Sequence, residues 1–237
     1  MVTAAVPEKK TRRLKTAVFP PLQNGDHLTR AEFERRYAAH PHLKKAELIE
    51  GVVHMPSPVS LSHGQPHANL MAWLGYYRAH TPGLHVADNV TVRIDRENEV
   101  QPDAVLYVAP EKGGNAAIES GFLEGAPELI VEVAASSVAY DLHEKLRVYR
   151  RNGVQEYLVL LAHEQETRWF QLVEGAYLPL EPGEDGVIRS QVFPGLHFHS
   201  DQFWADDLAG LLATLQAGLN SPEHQEFAGR LAASSEE

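Results

Sequence analysis

Glu132 stands inside the otherwise apolar run of ELIVEVA, residues 128 to 134. A carboxylate in such a run is costly to bury unless it is paired or holds a cation. Asp103 lies near the start of the preceding strand-like segment. Neighbouring strands place facing side chains close together, so the two acids can share one site. Two carboxylates with little nitrogen or sulfur nearby suit a hard cation, magnesium or manganese. Lys145 follows one helical turn after Asp141 and one turn before Tyr149. From there it can point back over the Glu132 strand toward an activated water or a phosphate oxygen. The chemistry this set suggests is phosphodiester hydrolysis, with the metal acidifying water and neutralising charge at phosphorus, and Lys145 stabilising the attacking or transferring oxygens. Each residue also has a plainer reading. Asp103 can cap a turn after Pro102, Glu132 can be a buried ion pair with Lys145 or Arg147, and Lys145 can be a solvated helix residue.

The elements that must position these groups follow from pattern. Thr29 and Glu32 form a capping box that opens a helix through about His40, which Pro41 ends. Residues 47 to 55 read as two short strands around a turn at Glu50-Gly51. Leu70, Met71, Leu74 and Tyr77 give a helix over 63 to 80, stopped by Pro82-Gly83. Residues 84 to 94 and 100 to 108 read as strands joined by a charged turn at 95 to 99, and Pro102 limits how the second can pair. Residues 111 to 125 look loose and Gly-rich. Residues 128 to 134 and 156 to 162 (EYLVLLA) have the near-continuous apolar pattern of strands covered on both faces. Between them Asp141 and Glu144 suggest a second capping box and a helix to Asn152, with Gly153 as its left-handed stop. A strand, a helix and a strand in that order favour a parallel pair. Residues 168 to 198 read as short antiparallel strands, and Leu208 to Leu219 as a closing helix. The expected fold class is α/β (α+β), a mixed central sheet flanked by helices with an added C-terminal antiparallel region. The expected division is a flexible basic arm at 1–20, one domain at 21–217 and a tail at 218–237.

Composition sets outer limits. The chain has 237 residues, 43% hydrophobic and 22% charged, which is ordinary for a globular domain. No apolar run approaches a membrane span, so no membrane association is expected. There is no cysteine, which removes disulfides and thiolate metal sites. Met1 to Pro7 runs directly into Glu8, Lys9 and Lys10 with no apolar leader, and a cytoplasmic location is expected. The formal charge of −11 argues against a broad nucleic-acid footprint. Locally, residues 1 to 15 carry five basic groups against Glu8, 5 − 1 = +4.

Taken together, Gln101-Pro102-Asp103, then Glu128 to Val133, then Asp141, Lys145 and Tyr149, then Gly153-Val-Gln-Glu-Tyr157, resemble the Uma-type restriction endonuclease family of the PD-(D/E)XK nuclease superfamily. Glu47-Leu-Ile-Glu-Gly51 and His63 are similar to its N-terminal part, and the resemblance covers about residues 28 to 200. It implies a restriction-endonuclease-like core, magnesium dependence, and Asp103 and Glu132 as metal ligands. It further implies the Val133 carbonyl as a ligand and Glu47 as an acid approaching the same site. The superfamily's E-x-K lysine would fall at Ala134, and the family pattern moves it to the next helix, where Lys145 stands. Restriction-type nucleases cut two strands as dimers, so DNA is the expected substrate and a homodimer the expected assembly.

Two other classes stay open. One is a binding module on the same fold that no longer cuts, which the −11 charge and the missing lysine at 134 suggest. The other is a hydrolase or sugar-binding protein using zinc at His63 and His67, or at His197 and His199, which alternate on one strand face. His63 alone could instead contact a phosphate.

Overall fold

The computed structural model describes residues 19–56, 58–135 and 137–233. Except for Phe19 and Pro20, the expected basic arm lies outside the described residues. Helix α1 (Arg30–Ala38) is followed by strands β1 (Glu47–Ile49) and β2 (Val52–His54), helix α2 (Leu61–Ala79) and strands β3 (Leu84–Asp88), β4 (Val92–Arg93), β5 (Glu99–Val100) and β6 (Ala104–Val108). Strands β7 (Ala117–Glu119), β8 (Phe122–Glu124) and β9 (Leu129–Ala134) come next. Helix α3 (Val138–Tyr140) runs through a π-helical turn (Asp141–Lys145) into α4 (Leu146–Arg151), and strands β10 (Glu156–Leu161), β11 (Glu166–Val173), β12 (Ala176–Pro179), β13 (Val187–Arg189) and β14 (His197–His199) follow. Helices α5 (Ser200–Trp204), α6 (Leu208–Leu219) and α7 (Pro222–Ala233) complete the described chain.

The central sheet has the order β12-β11-β10-β9-β6-β3, and a second sheet has the order β2-β1-β5-β4-β8-β7. In the central sheet β9 and β10 are parallel and the other pairs antiparallel, as the β–α–β order over 128 to 162 suggested. Every residue of β9 and β10 is buried. Leu129, Val131, Val133, Leu158 and Leu160 face one core with Leu70, Trp73 and Leu74 of α2 and Leu211 and Leu215 of α6. The alternate residues Ile130, Ala134, Val159 and Leu161 face a second core with Val148 and Tyr149 of α4 and Val92, Val100 and Leu123 of the second sheet. Helix α1 covers the far side of that sheet through Phe33, packed with Leu48 and Val53.

Several expectations change in ways that have physical causes. The strand expected over 84 to 94 divides into β3 and β4, which belong to different sheets, because Asn89 takes φ 49° and turns the chain. Similarly, 100 to 108 divides into β5 and β6 around Gln101-Pro102-Asp103, since proline cannot donate to a ladder. The stretch 111 to 125 holds the β7–β8 hairpin. Asp141 does not cap a helix. The helix begins at Val138, and the Asp141 carboxylate accepts from the Ser137 hydroxyl and faces Lys145. The region read as a tail from 218 contains α7, which buries His224, Phe227 and Leu231.

Outside the site one buried acid fastens the sheet to the chain beyond β13. Glu156 accepts hydrogen bonds from Gln191 N (2.7 Å), Val192 N (3.1 Å), Ser190 Oγ (2.8 Å) and Trp169 Nε1 (3.2 Å). Glu156→Ala strands all four donors. We expect it to cost about 3 kcal/mol or more in urea unfolding. A loss below about 1 kcal/mol would show that water satisfies these groups.

Candidate active site

The site forms where the chain crosses between the two sheets. Ala104 pairs with Val131 in the antiparallel β6–β9 ladder, so continuing the register sets Asp103 opposite Glu132. Facing residues of an antiparallel pair project to the same side. Pro102 ends the ladder there and frees the next stretch of the β9 edge. The Val133 amide, left without a strand partner, donates to Asp103 Oδ2 at 2.8 Å. Along β9 the even-numbered carbonyls turn to β10, as Glu156 N to Glu128 O and Ala162 N to Ala134 O show. The Val133 carbonyl therefore turns the other way, to the edge where Asp103 sits.

Both acids line a cavity of about 890 Å³, together with Glu47, Val133, Asp141, Lys145, Lys45, His63 and His67. All four predicted catalytic residues, Asp103, Glu132, Lys145 and Glu47, are thus brought together. They are nearly buried, with relative exposures of 5%, 3%, 3% and 5%. Lys145 Nζ lies 2.8 Å from Glu132 Oε1, 3.2 Å from Glu47 Oε1 and 3.5 Å from Asp141 Oδ1. The π-helical turn carries both Asp141 and Lys145 inward, and such turns recur at functional sites. Glu132 Oε1 also accepts from the Tyr149 hydroxyl at 3.0 Å. Glu47 Oε1 accepts from the Gln101 amide at 2.8 Å, which ties β1 to the segment that presents Asp103.

The two central acids are electrostatically unlike. Burial alone would raise Asp103. The His63 hydrogen bond, the Lys45 charge and the Val133 amide outweigh it and hold the carboxyl at about 2. Glu132 is pushed up by burial and by the acids Asp141, Asp103 and Glu47, against the pull of Lys145. Asp141 is raised for the same first reason, its burial. Lys145 goes up despite its own burial, because Glu132, Glu47 and Asp141 surround it, so it stays charged.

The donor chemistry fits a hard divalent cation. Four acid side chains, Glu47, Asp103, Glu132 and Asp141, line the cavity with three lysines, Lys44, Lys45 and Lys145, of which Lys45 and Lys145 pair with the acids. Burial first, and then the neighbouring acids Asp141, Asp103 and Glu47, raise the Glu132 carboxyl, and a bound cation would offset both. Among the described residues no three His, Asp or Glu groups are gathered at ligand spacing. The protein would then supply Asp103, Glu132 and the Val133 carbonyl, and water and substrate oxygens the rest, as is usual for magnesium.

The histidines do not form the zinc pair considered from sequence. His63 and His67 stack at 5.7 Å between ring centres. His63 Nε2 donates to Asp103 Oδ2 at 3.1 Å, and His67 Nε2 to Asp103 O at 3.0 Å and Asp88 Oδ1 at 3.1 Å. Their role visible here is to fix Asp103. His197 and His199 lie on β14, outside the cavity lining. Sequence reading overlooked Lys45, whose Nζ is 3.6 Å from Asp103 Oδ1. The signal was its position two residues before Glu47, which puts both on one face of an extended chain.

No curated protein matches the chain. Among solved structures, one described as a "putative nuclease belonging to DUF820" from Anabaena variabilis superposes with a TM-score of 0.54 at 10% identity, over 68% of this chain and 89% of that one. At that identity the likeness is one of fold. Among the described residues no helix is long and apolar enough to cross a membrane. The Uma2 family, described as "putative restriction endonuclease", matches residues 30–201, and the chain belongs to that family.

Proposed function

We propose that this protein is a metal-dependent endonuclease that hydrolyses DNA phosphodiester bonds. The observation that carries the reading is the pair Asp103, just before β6, and Glu132 on the neighbouring β9, both buried and lining one cavity. Asp103, Glu132 and the Val133 carbonyl would hold magnesium, or manganese in its place. When bound, such an ion neutralises charge at phosphorus and makes water a better nucleophile. Asp103, held near pH 2, supplies a permanent negative charge. Glu47 is a positioning residue, since it grips the Gln101 amide next to Pro102 and Asp103. Lys145 keeps Glu132 and Glu47 together in a space where acids alone would repel. Cutting both strands would take two copies, so a homodimer is part of the proposal, checked by light scattering.

The test is nicking of supercoiled plasmid with magnesium or manganese, run beside calorimetric titration of the metal. Wild type is expected to nick and to bind the metal. Asp103→Asn is expected to do neither while still unfolding in one cooperative transition, at a lower temperature because His63, Lys45 and the Val133 amide lose their anion. Metal binding without any nicking would favour a nuclease-fold module that binds DNA or protein without cutting. Absence of metal binding even with DNA present would mean that the acids are structural.

A further inference from the structure

Lys44, Lys45 and Lys145 line the cavity, and the two that pair with its acids, Lys45 and Lys145, have different amounts of hydrogen-bonding capacity left. An ammonium group has three N–H donors and no acceptor. Around Lys145 three carboxylate oxygens lie at 2.8, 3.2 and 3.5 Å, one for each donor. Its side chain is 4% exposed, with the Tyr140 ring 5.5 Å from Nζ. A lysine so enclosed has nothing left for a substrate oxygen unless the acid cluster comes apart.

Lys45 is placed otherwise. Its side chain is 24% exposed, and its Nζ lies 3.2 Å from Asn89 Oδ1 and 3.6 Å from Asp103 Oδ1. These two neighbours orient the ammonium and leave one donor for a third partner. Lys45 also lines the cavity on the Asp103 side. A phosphodiester entering an acid-rich cavity needs a cation that meets it there, and a lysine acts on phosphate as a point charge. We infer that Lys45, and not Lys145, is the lysine that contacts the substrate phosphate. This rests on the nuclease reading above and adds a residue to it. Lys145 then acts through the acids it holds, as a positioning residue.

The experiment is equilibrium binding of a fluorescein-labelled DNA duplex to the full chain, by anisotropy, in calcium to allow binding without cutting. The salt concentration is varied between about 50 and 200 mM. Removing one phosphate contact lowers the slope of log affinity against log salt by about 0.9. Lys45→Ala should show that drop and bind about tenfold more weakly at low salt. Lys45→Arg should keep the wild-type slope. If the alanine variant lacks a melting transition, Lys45→Gln replaces it. An unchanged slope in Lys45→Ala, with wild type binding and nicking, overturns the inference and leaves the nuclease reading standing. Failure of wild type to bind the duplex with or without calcium overturns both.

Discussion

Glu132→Gln is expected to abolish nicking while leaving the protein as stable as wild type or more so. The substitution keeps the shape of the side chain and an oxygen that can accept from Lys145 and Tyr149, which now lie 2.8 and 3.0 Å away. It removes one negative charge from a cluster that also holds Glu47, Asp103 and Asp141. If Glu132 holds the metal, activity should fall by more than about 100-fold, beyond what loss of an outer-shell partner costs. Stability should move the other way. Burial raises the Glu132 carboxyl above its usual 4.5, so the folded state holds a proton that the unfolded state has already released. Stability from this group is therefore present below the unfolded value and is lost as pH rises toward the folded one. The glutamine variant escapes that loss, so its advantage in urea unfolding should widen above about pH 4.5 in the presence of a chelator. Adding magnesium should close the gap by stabilising wild type alone. Nicking retained by Glu132→Gln would end the catalytic reading, and the acid would be one side of a structural ion pair.

Such a conflict between stability and function made the site legible before the structure. An acid in an apolar strand has no reason to be there unless something pairs with it, and Glu132 declared itself on that ground alone. Strands β9 and β10 and helix α6 were equally plain, because each is a long run of one period with clear stops. Beyond its β1–β2 hairpin the second sheet was hidden. Apolar residues recur along 84 to 94, and 100 to 108 is buried on both sides of its break, so neither run shows by its pattern that it serves two sheets. Only the left-handed Asn89 and the donorless Pro102 mark where the chain leaves one sheet for the other. Those same two breaks build the candidate site, by freeing the β9 edge at Val133 and by bringing Asn89 and Lys45 beside Asp103. Long-range pairing of this kind has no local signature. Helix α7 was a different omission. His224, Phe227 and Leu231 recur at helical spacing, and their burial follows from it, but the polar residues around them obscured the stripe.

Lys145→Met should show how much the acid cluster depends on its one enclosed cation. Methionine has a similar length and fills the same space, so the loss is one of charge rather than packing. It leaves Glu47, Glu132 and Asp141 buried without the ammonium now within 3.5 Å of each. Removing one partner of a buried ion pair costs about 3–5 kcal/mol, because the remaining charge stays desolvated. The sign of the pH dependence separates this from a packing defect. In wild type the Lys145 ammonium is raised above its usual 10.5, so its contribution is complete below that value and is lost only in strong alkali. In the variant the acids lose that pull downward, and Glu132 and Asp141, already raised by burial, must rise further. They then stay protonated in the folded state well above their unfolded values, and stability falls as pH rises through that window. The deficit in urea unfolding should be small near pH 5 and grow toward pH 8. An equal deficit at both ends would mean that Lys145 is held for its stem and not its charge. A variant whose deficit follows the pH but shrinks when magnesium is added would place the metal and the lysine on the same carboxylates. Lys145 would then be the resident countercharge that keeps these acids folded until the cation arrives.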